Sequence, residues 1–145
     1  MIAVYEALGW EPAGKVAVKL STGEPPASNY LRPELIKDVV ELVDGTIVEC
    51  NTAYGGSRAE TAMHYQVAED HGFTAIADFK ILDEDGSMSL PVEGGSQLTE
   101  NLVGAAFGDM ILIWCFPILR GMPWQVSEEP LRISPSGWGA RRVNA

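Results

Sequence analysis

The amino-acid sequence predicts an α/β fold: a layered parallel or mixed sheet built from two consecutive β-α-β units, with an irregular carboxyl-terminal tail. Three observations carry this prediction. Short β-branched runs alternate with segments of helical periodicity up to about residue 80. Glycine, proline or a capping pattern punctuates each change. The composition then changes character near residue 110.

The elements follow in order. "KVAVKL", Lys15 to Leu20, is a buried-strand pattern between Gly14 and "STGEPP". In "RPELIKDVVELVDG", Leu35, Ile36, Val39, Val40 and Val43 recur at helical spacing; Pro33 suits the first turn and Gly45 the stop. "TIVEC", Thr46 to Cys50, reads as the second strand. "SRAETAMHYQVAEDHG" opens with Ser57 and Glu60 three residues apart, a capping box. Ala59, Met63, Val67 and His71 form its expected apolar stripe, and Gly72 its end. "FTAIADF", Phe73 to Phe79, is the third strand. "DEDGS", Asp83 to Ser87, is a turn, and "MSLPVEGG" an edge strand that tolerates Pro91. Consecutive β-α-β units imply parallel strands joined by right-handed crossovers.

Charge and composition narrow the function. The net charge of −10 argues against nucleic acid, whose phosphates require clustered Lys and Arg. The asymmetry is sharp: 18 acids face four Lys and two Arg through Asp109, whereas Met110 to Ala145 holds two acids and four Arg. That tail has no Lys, Asp or Thr, yet carries three of the four Trp and four of the nine Pro. "MILIWCFPIL" falls short of the ~20 apolar residues needed to span a bilayer, so no membrane role is expected. The opening "MIAVYEALGW" has no basic start and no long apolar run, so a reducing, cytoplasmic setting is expected. Two cysteines, Cys50 and Cys115, cannot ligate a ferredoxin-type cluster alone.

Ligands of open parallel sheets sit beyond the carboxyl ends of the strands. The loops leaving those ends bring Lys19, Thr22, Glu24, Glu49, Cys50, Asn51, Thr52, Tyr54, Gly55, Gly56, Ser57 and Arg58 toward one crevice. Within "ECNTAYGGSR", Gly55 and Gly56 precede a predicted helix start, where free N–H groups and Arg58 would favour a small anion. Two glycines in a tight turn with Ser57 as a plain cap explain the same residues. Cys50 reads either as a thiolate or as a small buried hydrophobe at a strand end. His64 and His71 are seven apart, the wrong spacing for a shared metal ion, and His71 suits a helix carboxyl terminus.

The strings "GKVAVKLSTGEPP", "NYLRPELIKDVV", "GTIVECNTAYGGSR", "HGFTAIADF" and "DEDGSMSLPVEGG" resemble the amino-terminal half of the family known as domain of unknown function 362. The resemblance covers roughly Val4 to Gly108. It implies an association with iron–sulfur redox proteins, longer relatives, and a 4Fe-4S cluster in full-length members; this chain carries no such cysteine set, so no cofactor is expected in it. In such proteins "ENLVGAAFGD" leads into a strand and a His- and Gly-rich signature.

Here the sequence reads "MILIWCFPILRGMPWQ" instead. Read one base earlier, its codons permit "LVLSHFKGHAMAGFGGALKNISIG", a close match to that signature. Trp114 followed by Cys115 forces Val, and Met122 followed by Pro123 forces Ala. Residues 1–109 are therefore expected to form a partial α/β domain and 110–145 an out-of-frame tail, irregular apart from a chance strand that apolar "ILIWCF" permits. The start is also expected to lack the family's opening strand, leaving sheet edges able to self-associate. The expected function is a truncated, inactive amino-terminal fragment of an iron–sulfur-associated redox protein. The alternative is a small-anion-binding enzyme domain using the Gly-Gly-Ser helix start.

Overall fold

The computed structural model describes residues 2–7, 9, 12, 14–26, 30–110 and 112–115. The expected tail beyond Cys115 lies outside them. The order is α1 (Ile2–Ala7), β1 (Val16–Lys19), α2 (Pro33–Leu42), β2 (Gly45–Glu49), α3 (Thr61–Asp70), β3 (Phe79–Ile81), β4 (Ser87–Pro91), β5 (Glu100–Gly104), a 3₁₀ turn (Ala105–Asp109) and β6 (Leu112–Cys115). Strands β3, β2, β1 and β6 form one sheet in that order, and every pairing in it is parallel. The two predicted β-α-β units are β1-α2-β2 and β2-α3-β3.

Burial explains the layers. Val16, Val18 and Leu20 face a core completed by Ile36, Val39, Val40, Val43, Ile47, Ala68 and Phe73. The alternate residues Ala17, Val48 and Cys50 turn to the other face, where Leu82, Phe107, Met110 and Ile113 pack with them. Helices thus cover one face and the 3₁₀ turn covers part of the other. Strands β4 and β5 pair antiparallel as a separate hairpin, which accounts for the predicted edge strand and for Pro91 at its end.

Several local expectations are corrected. Leu35 is 60% exposed, because the inward stripe of α2 runs Pro33, Ile36, Val39 and Val40. Gly45 does not stop that helix. Asp44 takes the positive φ (49°), and Gly45 opens β2, where a Cβ would fall 2.7 Å from Val18 Cγ2. Strand β3 starts at Phe79, not Phe73. The Phe73 N–H donates to Ala68 O (2.9 Å) and the Gly72 N–H to Glu69 O (2.9 Å), so a Schellman turn consumes the donors a strand would need. The chance strand allowed within the tail does form: the run from Leu112 pairs in parallel with β1, matching Lys19 with Cys115. Helix α1 was not anticipated.

Candidate functional site

The carboxyl ends of the parallel strands face one side, and β1 lies between β2 and β6. The chain runs from β1 outward to β2 and β3 and returns on the other side of β1 only at β6, so the strand order reverses beside β1, where open parallel sheets take ligands. Under the two loops at this end sits a cluster of buried polar groups: Thr22, Glu49, Arg58 and His64.

Glu49 is its centre. Its Oε2 accepts from the Thr22 N–H (3.0 Å) and the Thr22 hydroxyl (2.6 Å). The same oxygen lies 2.9 Å from His64 Nε2, and since an ionised carboxylate only accepts, that nitrogen carries the proton. Oε1 accepts from Arg58 Nη1 at 2.8 Å. Burial alone pushes the Glu49 carboxyl up. The His64 hydrogen bond and the charges of Lys19, His64 and Arg58 outweigh it and bring the pKa down to about 2.

Arg58 is only 3% exposed and spans both loops. Its Nε donates to Glu24 Oε1 (2.7 Å), Nη1 also to Ser21 Oγ (3.2 Å), and Nη2 to the Tyr54 hydroxyl (2.8 Å). Planar, forked donors make this geometry available to arginine and not to lysine. Gly56 is required beside it: its φ is +137°, and a Cβ there would come 3.1 Å from Glu24 Oε2.

Further hydrogen bonds hold the cluster. His64 Nδ1 is 3.3 Å from Asn51 Oδ1, Asn51 Nδ2 donates to Thr61 Oγ1 (2.9 Å), and the Asn51 N–H to Asp83 Oδ1 (2.9 Å). His71 donates from Nδ1 to Thr22 O (2.7 Å) and stacks on Tyr30 with ring centroids 4.2 Å apart. The Thr52 N–H closes its loop onto Arg58 O (2.9 Å).

The predicted residues divide accordingly. Thr22, Glu24, Glu49, Tyr54 and Arg58 meet at one guanidinium or one carboxylate, Asn51 and Thr52 brace them, and Gly56 makes room. Lys19 reaches the strand end and donates to Leu20 O (3.0 Å). Cys50 turns away into the second core, where burial and then the Asp83 charge push its thiol up to about 12, so it is not a ready thiolate. Gly55 and Ser57 lie on the loop, but the helix they were expected to start begins at Thr61 with Glu60 as its N-cap and no side-chain cap. The Ser57–Glu60 capping box is therefore absent, and Ser57→Ala is expected to change stability by less than about 0.5 kcal/mol in urea denaturation. The anion reading loses the same helix start, and its cation, Arg58, is buried between two carboxylates.

Ser21, His64 and His71 were missed. The signal for the histidines was present: His64, Val67, Ala68 and His71 are themselves an i, i+3, i+4, i+7 stripe, rotated from the expected one, and Met63 is exposed.

A family model described as "Domain of unknown function (DUF362)" matches residues 16–123. The chain belongs to this family. The match starts at β1, takes in the whole sheet and the hairpin, and extends past β6. No curated protein and no solved structure matches the chain. The DUF362 domain thus contains every residue of the cluster. Among the described residues, no group of His, Cys, Asp and Glu is arranged to hold a metal ion, and no helix is long and apolar enough to cross a membrane. A recess of about 1080 Å³ opens at the opposite end of the strands, lined by Gly14, Lys15, Asp44, Asp78 and Asp109 among others. None of the cluster's side chains lines it.

Proposed function

We propose that this DUF362 chain is a small-molecule-binding domain whose ligand sits over the carboxyl ends of β1 and β2. The observation that carries this reading is the placement of the Thr22–Glu49–Arg58–His64 cluster. Burying charges is costly, and apolar packing of similar volume would usually be at least as stable. Here the charges are set at strand ends beneath two loops, in the position where parallel sheets bind ligands. The cluster itself is saturated with internal hydrogen bonds. Its role is to fix the Ser21–Glu24 and Asn51–Arg58 loops, and contact with a ligand falls to groups at the mouth. A thermal-shift panel of amines, carboxylates, phosphates and nucleotides tests this. A concentration-dependent rise in melting midpoint is expected from one class; a flat response to every class rejects the reading.

A second reading is that the chain is the amino-terminal fragment of an iron–sulfur-associated redox protein, with 1–109 in frame and the residues from about Met110 out of frame. The shifted codons that spell a His- and Gly-rich signature favour it. The gene's nucleotide sequence around codon 110 tests the frame, and a shifted frame that meets an early stop removes the idea. Anaerobic iron reconstitution tests the other half: this chain is expected to remain without cluster absorbance, and a stable cluster would contradict its being inactive.

A further inference from the structure

His64 is fully buried, and both nitrogens of its ring face oxygen. Nε2 carries its proton toward Glu49 Oε2 at 2.9 Å, with Thr22 Oγ1 3.1 Å away. Nδ1 lies 3.3 Å from Asn51 Oδ1, an amide oxygen that only accepts. The donor end of that amide is engaged elsewhere, since Asn51 Nδ2 donates to Thr61 Oγ1 (2.9 Å). A neutral imidazole has one N–H and one lone pair, and here the lone pair would face another acceptor. The imidazolium donates from both nitrogens and satisfies both contacts.

The groups packed round the ring pull in both directions. Burial opposes a charged ring. Glu49, on β2, favours it, because an ionised carboxylate touches Nε2. Two other cations act on that carboxylate: Arg58 holds its Oε1, and the charge of Lys19, on β1, reaches it as well. Strand β3 contributes the Phe79 ring, its centroid 6.0 Å from that of His64. Asp83, just beyond β3, holds the Asn51 N–H. On α3 itself, His71 is turned to Thr22 O. The Asn51 oxygen at Nδ1 decides between these influences, because it offers a place for a second proton and none for a lone pair.

We propose that His64 is held as an imidazolium and acts as a pH-sensitive latch, its Nδ1 proton tying Asn51 to α3. Asn51 stands where the chain leaves β2 for the Asn51–Arg58 loop, so the latch fixes the base of that loop. Loss of the proton sets two acceptors against each other. Asn51 must then turn its amide over, reversing the Thr61 contact, or leave the ring. The device works whether or not a ligand occupies the crevice.

Ring-nitrogen NMR of the full chain with isotope-labelled histidine tests it. The chain has two histidines, so His71→Gln assigns the signals. At neutral pH both His64 nitrogens are expected to show a bound proton. On alkalinisation the Nδ1 proton alone is expected to be lost. The Asn51 side-chain amide and the Thr52–Ser57 backbone amides are expected to shift along the same titration curve. A lone-pair signal at Nδ1 at neutral pH overturns the proposal. So does a ring that keeps both protons until the chain unfolds, or a titration that the Asn51 and loop amides do not follow. Asn51→Leu removes the acceptor and is expected to leave Nε2 as the one protonated ring nitrogen at neutral pH. Asn51→Asp keeps an oxygen there and is expected to retain both protons. If Asn51→Leu retains both, Asn51 does not hold the second proton and the latch fails. Retained amide spectra show that the variants are folded; should Asn51→Leu not fold, the parent's ring signals and their titration decide alone.

Discussion

Arg58→Ala is expected to destabilise the domain by about 3–5 kcal/mol, the cost typical of breaking a buried ion pair by removing one partner. Glu49 would keep its charge in a site that is 4% exposed, with Oε1 stripped of its donor. Ser21, Glu24 and Tyr54 would lose the same group, so both crevice loops would loosen together. Against a total of roughly 5–15 kcal/mol for an ordinary domain, this is enough to threaten folding at physiological temperature. Arg58→Lys is expected to recover part of the loss, because an ammonium can neutralise Glu49 but cannot bridge four partners in a plane. The diagnostic is a double-mutant cycle with Glu49→Gln in urea. If the penalty is an orphaned charge, the double variant should be markedly more stable than the sum of the singles predicts. Additive losses, or an Arg58→Ala penalty below about 1 kcal/mol, would mean that the guanidinium acts as an exposed surface charge does.

The sequence made the alternation of strands and helices legible because the strand runs are short, continuous and β-branched, as in "KVAVKL", whereas Ile36, Val39 and Val40 recur at three or four. It misled where an element's start depends on backbone donors. Phe73 looks like a strand residue, but its N–H is already committed to Ala68. Ser57 looks like a cap, but the chain turns for three more residues before α3 begins. The site was half legible for a related reason. Proximity of the two loops follows from topology alone, and it placed Thr22, Glu24, Glu49, Tyr54 and Arg58 correctly at one end of the sheet. Which of them pair does not follow. Arg58 lies 34 residues from Glu24, and in sequence it reads as an available cation beside two glycines. Only the fold shows it neutralised. His64 was missed because the inward stripe of α3 was placed on Met63, one residue round the helix from the position that is buried.

Acidification is expected to remove about 3 kcal/mol of stability through Glu49 alone. Its folded-state pKa, about 2, lies below the ordinary value of 4.5. A depressed folded-state pKa means that the folded state holds the ionised form more tightly than the unfolded chain does. The contribution is therefore fully present above pH 4.5 and is lost as the pH falls toward 2. Protonation would also leave an O–H where Thr22, His64 and Arg58 all present donors. Glu84 adds to the slope in the same direction: burial raises its pKa, but the Lys80 and then the Tyr65 hydrogen bonds lower it further. The test is therefore a comparison and not an absolute slope. Urea midpoints of the parent and Glu49→Gln, measured from pH 7 down to pH 2, should differ most at neutral pH and converge as Glu49 is protonated. If the two curves run parallel throughout, Glu49 does not titrate in this range, and the network around it does not depend on its charge.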